Sequence, residues 1–243
     1  MRKLCTLILV TIAITTFGQT SFNYQKDFKT ILAKTKDTKD KLSYDKLLIK
    51  FKSNDTTMTD YEVLSLMIGF TDKPDYKPYD DLAIEREIYD LNGENKFKEA
   101  LAKANKFLKT HPLSLKALFE KSYAFHKLDQ EDSASYYLVQ GKRIIHAMSF
   151  SGDGKSVDTP MFALGPADGQ DYIHKSGADI GIMGDGRDKN GNFLDILEAK
   201  FSNGKSVKLY FIIQHASEKM FGGKSIEDEL KELEKKDKKK SGK

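Results

Sequence analysis

The chain has 243 residues, of which 39% are hydrophobic and 31% charged, so it can bury a core as one large domain or two small ones. Its formal charge is +4, falling to +2 without Arg2 and Lys3, and no nucleic-acid partner is expected. The single cysteine is Cys5, so everything downstream is without disulfides, thiolate nucleophiles or zinc–cysteine sites.

Arg2 and Lys3 precede an apolar stretch from Leu4 to Phe17, and small residues follow at Gly18. This order predicts a signal peptide over residues 1–19, because the stretch is too short to span a bilayer. Cys5 stands before the apolar stretch rather than after it, which argues against a lipoprotein. The expected mature chain is therefore exported, periplasmic or secreted, with no transmembrane segment after cleavage.

Residues 20–146 read as helical. Ser43 opens an apolar-periodic run to Phe51, and Thr57 or Thr59 is placed to cap a helix carrying Tyr61, Leu64 and Ile68 on one face. Pro74 and Pro78 then force an extended or turning connection, after which helices resume near Asp80. Ala100 and Ala134 lie 34 positions apart, each in the second half of an expected helix pair. With Pro112 at the loop position, Phe97, Ala100, Leu101, Ser122, Phe125 and Ala134 give a stretch that resembles tetratricopeptide repeats over roughly 65 residues. Ile88, Glu131 and His146 depart from that pattern, and two units fall below the three that an independent solenoid needs. An unrelated helical bundle has the same periodicity and stays open as an alternative.

If the resemblance holds, Leu118, Ser122 and Phe125 face the partner helix, while Phe119, Tyr123 and His126 look into a concave groove. Glu85, Tyr89 and Asn92 take the equivalent places one unit earlier. These six residues form the candidate binding stripe, since aromatics with a polar edge suit peptide recognition. The alternative for Phe119 and Tyr123 is ordinary core.

After Ser149 glycines become dense and the period turns strand-like, so residues 147–223 are expected to form an antiparallel β region. Asn203-Gly204 predicts a type I′ hairpin joining Leu194–Phe201 to the run Val207–Ile213, the latter a central, covered strand. Met161–Leu164 and Tyr172–His174 are weaker strand candidates, and Asn190-Gly191 is a further turn. Ser225-Ile226-Glu227-Asp228 opens an expected terminal helix with a lysine-rich tail over 224–243, where Lys235–Lys243 carries six lysines and one aspartate. The expected fold class is α+β, with N-terminal helical hairpins, a C-terminal antiparallel sheet and a short terminal helix.

Two other patterns point toward specific chemistry and fall short of it. Gly154-Lys155-Ser156 lacks the first glycine of a phosphate-binding loop and is followed by Val157-Asp158-Thr159-Pro160, which cannot open a helix under a phosphate. Asp185–Asp195 has the glycine turn of a calcium loop but Gly186 and Leu197 where its charged ends belong. The histidines show no metal-binding spacing and no nucleophile elbow is present, so no catalytic residue, metal or cofactor is expected. Tyr172, His174 and Asp179 are the best candidates for a polar pocket on the sheet.

Asp55-Thr56-Thr57-Met58-Thr59, Gly69-Phe70, Tyr76-Lys77-Pro78-Tyr79, Ser151–Ser156 and Leu209-Tyr210-Phe211 together resemble the family labelled domain of unknown function 4919. The resemblance covers most of the chain and implies an exported protein of Bacteroidetes type with helices preceding a sheet. It implies no activity. The functional expectation is a non-catalytic protein- or peptide-binding module of the cell envelope; the alternative is a hydrolase or small-ligand binder with its site on the C-terminal sheet.

Overall fold

The computed structural model describes residues 22–220. The expected signal peptide and the expected terminal helix with its lysine tail lie outside the described residues.

Seven helices come first: α1 (Tyr24–Lys36), α2 (Tyr44–Lys52), α3 (Asp60–Phe70), α4 (Asp81–Gly93), α5 (Phe97–Phe107), α6 (Leu115–Lys127) and α7 (Glu131–Ser151). Their starts are set by side-chain caps. Asn23 accepts from the Lys26 N–H, Ser114 from that of Ala117, and Thr59 and Glu62 bond each other's backbone N–H in a capping box. Three stops share one device. Asn54, Asn95 and Asp129 take left-handed φ angles of 53°, 60° and 57°. The next N–H then reaches back to the helix, from Asp55 to Lys50 O, Lys96 to Leu91 O and Gln130 to Phe125 O.

α4 begins at 81 and α6 at 115, α5 at 97 and α7 at 131, so both steps are 34 residues. Ala100 and Ala134 are buried where the helices of each pair meet, and Ser122 donates to Ala134 O at 2.7 Å. Phe125 stacks on Tyr137 of α7 at 5.7 Å. α3 is the apolar centre of this half: every residue from Val63 to Phe70 is buried, against α1, α2 and α7.

The second half holds β1 (Met161–Phe162), α8 (Asp168–Lys175), β2 (Ala178–Arg187), β3 (Phe193–Phe201), β4 (Ser206–Ile212) and α9 (Gln214–Met220). The fold is α+β, as expected. The sheet runs β1-β4-β3-β2, antiparallel over β2–β4, with β1 parallel to the end of β4. β4 is interior in that order, but only its last residues are covered, because β1 pairs with Phe211 and Ile212 alone. The Asn203-Gly204 turn is not type I′. Phe201 N–H donates to Lys205 O at 2.9 Å across a three-residue loop in which only Gly204 has a positive φ, 81°.

Tyr172–His174 is helix rather than strand. Its buried neighbours Asp168, Asp171, Gly169 and Ile173 fall at i, i+3 and i, i+4 on one side of α8, a helical pattern concealed by two of its members being acids. Gly169 lets α8 settle on the sheet: a Cβ there would lie 2.9 Å from both Leu197 Cδ1 and Phe211 Cδ2.

The two halves share one hydrophobic core, and α7 crosses the expected boundary at 146 to reach Ser151. The buried Tyr76, in the proline-containing connection, donates to Leu164 O at 2.6 Å and ties α3–α4 to the chain before α8. His215 is stacked 4.5 Å from Phe162, and burial lowers its pKa to about 3, so it is a neutral core ring.

Candidate functional site

A cleft of about 780 Å³ opens between α4, α6 and α8. Glu85 and Tyr89 come from α4, Lys116, Phe119 and Glu120 from α6, and Asp171, His174 and Lys175 from α8. Helical spacing explains the convergence, since i, i+3 and i, i+4 residues share a face on each element.

Its floor is polar and buried. Ser114 donates to Glu85 Oε1 at 2.6 Å, and the Lys116 ammonium meets Asp171 Oδ1 at 2.5 Å. Asp168, behind Asp171, accepts the Leu164 and Gly165 N–H groups at 2.8 and 3.0 Å. Burial raises the Glu85 pKa to about 8; the Ser114 hydroxyl opposes this, and the charges of Asp168 and Asp171 add to it. Burial likewise raises Asp168 to about 7 against its two backbone donors. Asp171 is also raised by burial, with the Lys116 charge opposing. Burial pulls Lys116 down, but Asp171 outweighs it and the net shift is upward. The floor therefore holds Glu85 protonated near neutral pH beside one ion pair. Asp171 Oδ2 is buried with no partner among the described residues.

The walls are aromatic and cationic. Lys175 Nζ sits 4.5 Å from the Phe119 ring centroid and Lys116 Nζ 5.7 Å from that of Tyr89. Phe119 is fixed from behind, because a Cβ at Gly141 would lie 3.0 Å from its ring.

The candidate stripe divides here. Glu85, Tyr89 and Phe119 share the cleft. Asn92 is buried and donates to Glu120 O and Oε2 at 2.9 and 2.8 Å, so it holds a cleft residue in place without lining the cleft. Tyr123 is exposed beside Phe97 and Lys127, and His126 pairs with Glu131 at 2.6 Å, both outside the cleft lining. The sheet candidates also separate. His174 lines the cleft from α8, Tyr172 shares a hydrogen bond with Ser149 at 2.9 Å, and Asp179 is exposed on β2. Sequence reasoning missed Lys116, Asp168, Asp171 and Lys175; the Gly165-Pro166 break followed by acids and then His174-Lys175 was the available helix signal.

The Ser114 hydroxyl is committed to structure. Ser114 Oγ is buried, donating to Glu85 and accepting the Ala117 N–H at 3.1 Å as the α6 cap. The Asp185–Asp195 region is a hairpin whose Asp188 carboxylate is taken by the Asn190 and Asn192 N–H groups and the Asn192 amide. No cluster of three or more His, Cys, Asp or Glu among the described residues is placed to hold a metal. No helix among the described residues is long and apolar enough to cross a membrane.

The family model described as a domain of unknown function (DUF4919) matches residues 29–220. The chain belongs to that family. The match takes in every element from within α1 to α9, and hence the whole cleft. No curated protein and no solved structure matches the chain.

Proposed function

We propose that this DUF4919 protein is a non-catalytic, exported binding module of the cell envelope that holds a peptide segment of a protein partner in the α4/α6/α8 cleft. The two helix pairs at 34-residue steps act as tetratricopeptide-like units, and α8 supplies the second wall of their groove. The observation that carries the reading is the cleft itself: Tyr89 and Phe119 offer aromatic area beside Lys116, Lys175, Glu120 and the buried acids of the floor. Mixed charge with aromatic anchors suits a peptide, which presents side chains and backbone amides of both polarities.

The test is selection of a displayed peptide library on residues 20–243, followed by titration of the enriched peptide. Tyr89→Ala, at an exposed position, is expected to weaken binding by about tenfold or more with unchanged melting temperature. Enrichment of no peptide, or equal affinity for wild type and variant, would contradict the reading.

A small polar ligand in the same cleft is the second reading, favoured by His174 and the proton held on Glu85 beside the Lys116–Asp171 pair. It moves the alternative site from the sheet to α8. Retained peptide binding in His174→Ala would separate the two.

A further inference from the structure

A second, smaller cavity of about 210 Å³ lies on the face of α6 that points away from the cleft. Lys121 of α6 forms its inner wall, Lys109 of the α5–α6 connection and Lys52 of α2 stand at its rim, and Asn105, Tyr137 and Gln140 complete the polar lining. No aspartate or glutamate lines it among the described residues.

Lys121 is the unusual member. It is 5% exposed, and its ammonium sits 3.7 Å from the Tyr137 ring centroid and 5.9 Å from that of Phe125. None of the three lysines makes an ion pair among the described residues, whereas Lys116, on the opposite face of the same helix, has Asp171. A ring face compensates an ammonium only partly for lost water, and a desolvated cation without a counter-charge is costly in any fold. Accordingly, burial alone lowers the Lys121 pKa to about 8.

The cavity is preformed. Tyr136 donates its hydroxyl to Lys52 O, and Gln140 Nε2 donates to Phe51 O at 3.5 Å, fastening α7 to the end of α2 across the opening. Three cations and no acid line it among the described residues, one of them packed on a ring, so its lining is complementary to an anion.

We propose that this cavity is a binding site for a small oxyanion, a phosphate or a carboxylate, held between Lys52, Lys109 and Lys121 with the Asn105 and Gln140 amides as further donors. Its volume suits a single compact anion and excludes a folded segment. Bound anion neutralises the Lys121 ammonium and makes it harder to deprotonate; Lys52, Lys109, Tyr136 and Tyr137 are the other titratable groups around it. The site is separate from the peptide cleft and stands or falls independently of it.

The experiment titrates residues 20–243 with inorganic phosphate and, separately, with benzoate, against sodium chloride at matched ionic strength. Two readouts are followed: the melting temperature, and the rate at which trinitrobenzenesulfonate labels Lys121, read by peptide mass spectrometry across pH 7–10. Either anion is expected to raise the melting temperature above the chloride control and to shift the half-maximal labelling pH of Lys121 upward. Phosphate alone acting assigns the site to phosphate-bearing ligands, benzoate alone to carboxylates, and both to oxyanions in general. Lys121→Met keeps the apolar stem and is expected to fold and to weaken binding at least about tenfold; Lys109→Met, at an exposed position, weakens it less. Tyr89→Ala should bind the anion as wild type does. Unchanged Lys121 labelling with both anions, or undiminished anion binding by Lys121→Met, overturns the proposal.

Discussion

α3 and α8 are both short helices, and their inward faces are buried in opposite ways. α3 turns Val63, Leu64, Leu66, Met67, Ile68 and Phe70 into the centre of the helical half. α8 carries Asp168 and Asp171 inward, with only Gly169 and Ile173 as apolar company. The first kind of burial stabilises by removing apolar area from water and is indifferent to pH. The second is conditional: it depends on where protons sit and on what completes the partners of Asp171. The proposed binding cleft lies on the α8 side, between α4, α6 and α8.

The contrast can be broken most forcefully in α3. Met67→Ala, at a position with 0% exposure, is expected to cost about 2–5 kcal/mol in urea unfolding, equally at pH 5 and pH 8. A loss that changed markedly with pH would undo the contrast.

Lys116→Met does the corresponding damage beside α8. It leaves Asp171 buried without its counter-ion, with an expected cost of about 2–3 kcal/mol at pH 8. The cost should shrink at pH 5, where the carboxyl can take a proton instead. The same pair of unfolding curves at the two pH values checks it.

Glu85→Gln sharpens the comparison in the other direction. The Glu85 pKa is raised to about 8 in the fold, against about 4.3 for an ordinary glutamate. The folded state therefore holds more protons than the unfolded one, and this contribution to stability, complete below pH 4, is lost as pH rises through 8. Asp168, raised to about 7, acts with the same sign. Glutamine keeps the acceptor for Ser114 and has no charge to bury. The shift sets an upper limit of about 5 kcal/mol, so the variant should be more stable than wild type by at least about 1–2 kcal/mol at pH 8 and equal to it at pH 4, read by thermal melts across that range.

The smallest expected effect is pH-independent and local. Asp129 holds a left-handed φ of 57° after α6, and Asp129→Gly should add about 0.5–1 kcal/mol to unfolding free energy without altering the cleft.

Much of the helical half was legible because each boundary has a local cause. Thr59 and Glu62 form the box their spacing suggests, and Pro74 and Pro78 mark the connection that keeps α3 and α4 apart. The 34-residue step appears in both helix starts. α8 was not legible as a helix, since a pattern search counts Asp168 and Asp171 as surface. Lys121 escaped for the same reason: the sequence of a lysine does not say that Tyr137 will lie beneath it. Glu85, Tyr89 and Phe119 could be grouped from repeat spacing alone. Asn92, Tyr123 and His126 obeyed that spacing too, but their positions relative to the cleft depend on Glu120, Phe97 and Glu131, which periodicity does not locate.

The proposed working surface is the α4/α6/α8 cleft. Hydrogen exchange of residues 20–243 with and without the library-selected peptide tests it most directly. Added protection is expected to concentrate in α4, α6 and α8, and to be reduced in Tyr89→Ala. Protection concentrated instead on the outer edge of β2, or none in these three helices, would contradict it.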